Sequence, residues 1–147
     1  MSTPPSRLAA AVRAWLEFAQ DDRDALRVLE QAGGPVRTLG FHAQQAVEKL
    51  LKAALVSYDV EPEDTHVVGS LVAQLYRLDR RLTDALGPVD VLTQYAVLMR
   101  YPPRPGRYGR GLDANRVAAD VVVARAACDV LDAAVRARLA RLDAPAD

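Results

Sequence analysis

Residues 36–58 read VRTLGFHAQQAVEKLLKAALVSY, and the order of apolar and polar positions in this stretch decides the fold class. At 100° per residue, Ala43, Val47, Leu50, Leu51, Ala54 and Tyr58 share one face of a helix, while His42, Gln45, Glu48, Lys49 and Lys52 lie on the other. Phe41 departs from the pattern by standing on the polar side. An aromatic there implies either a central helix covered on two sides or a second face that meets another subunit.

The same period organises the chain on both sides of this helix. Upstream, Leu8, Val12, Trp15, Leu16, Ala19, Leu26 and Leu29 recur at three- and four-residue intervals. They predict a helix over about 6–31, capped by Ser6 and ended by Gly33-Gly34-Pro35. Downstream, Pro62 lies near the middle of a break over 59–65, and Val68, Leu71, Val72, Leu75 and Leu78 predict a short helix over 67–78. A further turn at 82–86 precedes Gly87-Pro88, and a second short helix over 89–99 stops before Pro102-Pro103. The last helix, from about 113 or 114 to 142, carries Val117, Val121, Ala124, Cys128, Leu131, Val135 and Leu142 in a seam that suits packing along a bundle. Val121-Val122-Val123 is too short to compete as a strand. The expectation is an all-α, up-and-down helical bundle of about five helices, three long and two short. It fills a single domain over 1–147, with flexible ends at about 1–5 and 143–147.

Composition agrees. Ala occupies 26 positions and Arg 17 of the 19 basic ones, and both are strong helix formers. Nineteen acidic residues balance the basic ones, so no global field draws the chain to nucleic acid or anionic lipid, and such a partner must be met by a local patch. The single cysteine, Cys128, allows no internal disulfide. The N-terminus lacks a basic segment followed by an apolar run, and no stretch has the length and apolarity of a membrane span. The default expectation is a soluble, cytoplasmic protein with no membrane partner.

Several chemistries are disfavoured by what is missing. His42 and His66 are the only histidines, and the acids show no ligand spacing around either, so no metal site and no cofactor is expected. Neither glycine-rich stretch has the context of a phosphate loop, and no serine elbow is present. Two local features remain. His42, Gln45, Lys49 and Lys52 span about 80° of one helix over nearly three turns, a face able to receive a phosphate or an acidic surface. The alternative is an ordinary solvated face on which Glu48 and Lys52 form a weak helix pair.

The second feature is the irregular segment 100–111, which holds Arg100, Arg104, Arg107 and Arg110 with Tyr101 and Tyr108 and no acid. Guanidinium groups and aromatic rings in that arrangement suit phosphate contact and base stacking. Alternatively, Tyr101 anchors the segment and the arginines keep it soluble. Asp22 lies at the edge of the first apolar stripe, where the ordinary reading is a half-exposed carboxylate and burial would demand a partner. Antiparallel pairing about Gly33-Gly34 puts Asp22 and His42 at similar heights, so the two are expected to approach one another.

Four blocks, taken in order, resemble a known family. They are Trp15-Leu16-Glu17-Phe18-Ala19-Gln20-Asp21-Asp22, the stretch from Phe41 to Ala53, Thr65-His66 leading into a short helix, and Tyr95-Ala96-Val97-Leu98-Met99-Arg100-Tyr101-Pro102. Together they are similar to the HEPN-domain family, named for higher eukaryotes and prokaryotes nucleotide-binding. The resemblance implies a bundle of about five helices, often dimeric, in proteins encoded beside a minimal nucleotidyltransferase. Many relatives act as RNase toxins with that partner as antidote.

The RNase branch pairs an arginine with a histidine a short interval later, near the start of the last long helix. Arg100, Arg104, Arg107 and Arg110 supply candidates for the arginine here, but no histidine follows His66. The chain therefore resembles the branch without that motif. It is expected to be a non-catalytic nucleotide- or nucleic-acid-associated protein, a homodimer acting with a minimal nucleotidyltransferase. An RNase toxin of a toxin-antitoxin pair using a nonstandard site and a purely structural dimerisation module are the alternatives. The binding candidates are His42, Gln45, Lys49, Lys52, Arg100, Tyr101, Arg104, Arg107 and Arg110, with Asp22 as the partner of His42.

Overall fold

The structure, a computed structural model, describes residues 3–98 and 112–144. Its regular elements are all helical: α1 (Pro5–Gln31), α2 (Val36–Ser57), α3 (Val68–Tyr76), α4 (Arg80–Asp84), α5 (Thr93–Leu98) and α6 (Ala114–Leu142). A 3₁₀ turn at Val89–Leu92 leads directly into α5, so the helix expected over 89–99 begins with a tighter winding. The first helix starts at Pro5 rather than at a Ser6 cap, because proline lacks the N–H that the first turn leaves unbonded and its fixed φ suits that position.

The turn between α1 and α2 sets their antiparallel register. Gly33 takes φ 64°, a left-handed conformation that only glycine adopts freely. Its N–H bonds Glu30 O, and the Gly34 N–H bonds Leu29 O at 2.7 Å, closing the last carbonyls of α1 before Pro35 opens α2.

Helix α2 is the centre of the bundle, packed against α1, α6, α3 and α5. Ala43, Ala46, Val47, Leu50, Leu51, Ala53, Ala54 and Leu55 are all buried. Alanine at four of these positions lets neighbouring backbones come close. The approach is closest at Gly40, where a methyl group would overlap the ring of Tyr95 from α5. The Tyr95 hydroxyl in turn donates to Asp120 Oδ2 of α6 at 2.6 Å. Phe41 is half-buried on this central helix, the first of the two arrangements its position implied.

Helix α6 closes the bundle along the seam of Val117, Val121, Ala124, Cys128, Leu131 and Val135, all of them buried. Its C-terminal part is fastened to the end of α2 by Arg138, which donates to Ser57 Oγ and Ser57 O at 3.0 Å and lies over the Tyr58 ring. Asp79 caps α4 through the Leu82 N–H and also accepts from the Tyr58 hydroxyl, drawing the 77–84 region onto the same corner. The backbone bond from Leu82 is the main cause holding the Asp79 carboxyl below its ordinary range. Among the described residues, no helix is long and apolar enough to cross a membrane.

Candidate functional site

The antiparallel register of α1 and α2 encloses two carboxylates that solvent barely reaches, Asp22 and Glu48. Asp22, expected at the half-exposed margin of α1, is buried because α2 supplies two donors to it. His42 Nδ1 donates to Asp22 Oδ1 at 2.8 Å, and Lys49 Nζ donates to Asp22 Oδ2 at 2.5 Å. An ionised carboxylate only accepts, so the shared proton belongs to His42 Nδ1, and Nε2 is the ring nitrogen left free of Asp22.

Glu48 is the hub of a second cluster. It accepts from Gln44 Nε2 at 2.7 Å, from Lys52 Nζ at 3.0 Å and from His66 Nδ1 at 3.2 Å. Gln45 joins by donating to Gln44 Oε1 at 2.7 Å. Burial pushes the Glu48 carboxyl upward. The hydrogen bonds from Gln44, Lys52 and His66, with the Lys52 charge, outweigh that push and hold it below its ordinary value. His66 arrives from the segment between α2 and α3, and its side chain is half exposed.

Aromatic rings of α1 cover the lysine ends of both clusters. The Phe18 ring lies 5.8 Å from Lys49 Nζ and the Trp15 ring 5.6 Å from Lys52 Nζ, each within cation–π range. The stripe read from sequence as a face for phosphate or solvent is therefore internally paired, with Lys52 buried and His42, Gln45 and Lys49 half-buried. Each of the two lysines in the chain is bonded to a buried carboxylate and shielded by an aromatic ring. The Glu48–Lys52 pair is buried rather than a weak pair on a solvated face.

A cleft of about 780 Å³ beside Trp15 and Lys52 does not compensate, since Asp59, Glu61, Glu63 and Asp64 rim it. Their negative charge opposes entry of a phosphate. Among the described residues no group of His, Cys, Asp and Glu is arranged to hold a metal ion.

The structure thus brings Asp22, His42 and Lys49 together, and sets Gln45 and Lys52 around Glu48 one step along the same helix. Arg100, Tyr101, Arg104, Arg107 and Arg110 lie outside the described residues. Sequence reasoning passed over Gln44 and Glu48 as organising residues, although both stand in the same block of α2. It also left His66 without a partner, because the connection from His66 to Glu48 depends on how the 59–67 segment folds back.

An all-helical bundle whose two antiparallel hairpin helices are joined through the buried Asp22 carboxylate is the class that fold and site define. The family model described as the HEPN domain matches residues 12–127, and the chain belongs to the HEPN-domain family. This membership is consistent with a nucleotide- or RNA-associated role. No curated protein and no solved structure matches the chain.

Proposed function

We propose that the protein is a non-catalytic, nucleotide- or nucleic-acid-associated member of the HEPN family, cytoplasmic and homodimeric, that acts with a minimal nucleotidyltransferase. The observation that carries this reading is the internal use of the charged groups of α2. RNA cleavage needs a base and an acid free to reach the reacting oxygens, together with cationic stabilisation of the phosphate. Here Lys49 and Lys52 are consumed by Asp22 and Glu48, and the two histidines hang on separate carboxylates. The sequence has no histidine beyond His66 to complete the arginine–histidine pair of the RNase branch. Phosphate recognition on this reading falls to Arg100, Arg104, Arg107 and Arg110, with Tyr101 available for stacking, while the α1–α2 clusters keep the scaffold rigid.

One observation favours a second reading, an RNase with a nonstandard site. Asp22 holds the His42 ring through Nδ1 and so directs Nε2 away from the carboxylate, the orientation used by a histidine that exchanges protons with a substrate. Incubating the protein with end-labelled single-stranded RNA separates the two. The first reading expects a retarded complex and intact RNA. Cleavage that disappears in His42→Ala overturns it in favour of the second, and neither retardation nor cleavage leaves a structural module.

A further inference from the structure

The outward side of α1 carries an exposed stripe that no helix among the described residues covers, with the Phe18 ring over the Lys49 ammonium at its inner edge. Arg7, Ala11, Ala14, Phe18 and Asp21 are all exposed, and they recur at three- and four-residue spacing within an 80° sector of the helix. Phe18 is 60% exposed although it is one of only two phenylalanines in the chain. Beside it opens a hollow of about 240 Å³ lined by Ala14, Trp15, Phe18 and Lys49. A projecting ring and an apolar hollow therefore lie next to each other on one helix face, offset along its axis.

We propose that this face is a two-fold interface at which a second copy of the chain docks, its α1 antiparallel, with each Phe18 seated in the hollow beside the other copy's Ala14. The inference rests on the homodimer of the proposed function and names the surface that forms it. Self-complementarity carries the choice of occupant, because a two-fold contact must match one patch to itself. The midpoint between Ala14 and Phe18 is the natural position for the axis, since it sets each ring against the small residue of the other helix.

Charge fixes the direction. A parallel pair would set Arg7 on Arg7 and Asp21 on Asp21. The antiparallel pair instead places Arg7 about one helical turn from Asp21 of the other copy, within reach of its long side chain. The same stripe explains an otherwise costly arrangement, a large aromatic left in water on the helix that covers the ionic cluster.

The test is sedimentation equilibrium of the full chain over a range of micromolar concentrations. The wild type is expected at twice the 16.0 kDa chain mass. Phe18→Glu is expected to weaken self-association by at least about thirtyfold, the effect of removing a central aromatic anchor. Its circular dichroism spectrum at low concentration should remain that of the folded wild-type monomer, because Phe18 is 60% exposed and the bonds of Lys49 and His42 to Asp22 stay in place. Arg7→Glu and Asp21→Arg should each weaken the dimer, and the double variant should restore it. A wild-type dimer that Phe18→Glu leaves intact would overturn this face while sparing the homodimer reading, whereas a monomeric wild type would overturn both.

Discussion

Replacing Glu48 by alanine removes the hub of the second cluster and is the most informative single perturbation of the scaffold. The carboxylate has three good donors, from Gln44, Lys52 and His66, at 2.7, 3.0 and 3.2 Å. Gln44 is fully buried and Lys52 nearly so, so water cannot freely replace the missing acceptor. Breaking a buried pair by deleting one partner costs about 3–5 kcal/mol, most of it from the charge left behind. For a chain of this size each kcal/mol moves the melting temperature by about 3 °C, so Glu48→Ala should melt about 10 °C or more below wild type.

A second variant separates the stranded charge from the lost volume. Adding Lys52→Met to Glu48→Gln removes the unpaired ammonium and should recover more than half of the loss. The pH dependence has a defined sign. Because the folded carboxyl is held below its unfolded value, its contribution is full above the unfolded value and is lost as pH falls through the folded one. Glu48→Gln should therefore flatten the decline in stability between about pH 5 and pH 3. Urea titrations with circular dichroism measure both effects. A Glu48→Ala loss below about 1 kcal/mol would refute the claim that this cluster locks α2 to the 59–67 segment.

Three further outcomes are expected. Tyr95→Phe should lose about 1.5–3 kcal/mol by calorimetry, since it leaves Asp120 without its buried hydroxyl donor. Burial pushes the Cys128 thiol up to about 12, so Ellman's reagent should fail to label native protein at about pH 8 and react at once in denaturant; fast native labelling would contradict the packing of α6. His42→Ala should destabilise by only about 1–3 kcal/mol, less than Glu48→Ala, because Lys49 still neutralises Asp22.

The long helices and the bundle were legible because apolar periodicity reports burial directly, and the boundaries of α2 and α6 fall within a residue or two of the pattern. The height match of residues 22 and 42 was legible too, since a tight Gly33-Gly34 turn leaves an antiparallel pair little choice of register. The burial of Glu48 and Lys52 and the internal pairing of Lys49 were not legible. Apolar periodicity along one helix assigns charged residues to water, and only the arrival of α1 rings and of His66 on that face makes their burial tolerable. Pairing of charges in the interior depends on long-range geometry that a single-helix projection omits. Phe41, an aromatic on the supposed polar face, was the one local sign that α2 is covered all round.

The claim that the protein binds nucleic acid through its arginine segment, without cutting it, is tested most directly by the salt dependence of RNA affinity. Two to four phosphate contacts on single-stranded RNA predict a log–log slope of about 1.5 to 3 in magnitude. Arg104→Ala with Arg107→Ala should reduce that slope by about one or more, while Lys49→Met, whose ammonium is already bonded to Asp22, should leave it unchanged. The RNA recovered at every salt concentration should be full length. Binding that ignores the arginine pair and falls with Lys49→Met, or RNA recovered in fragments, would contradict the account.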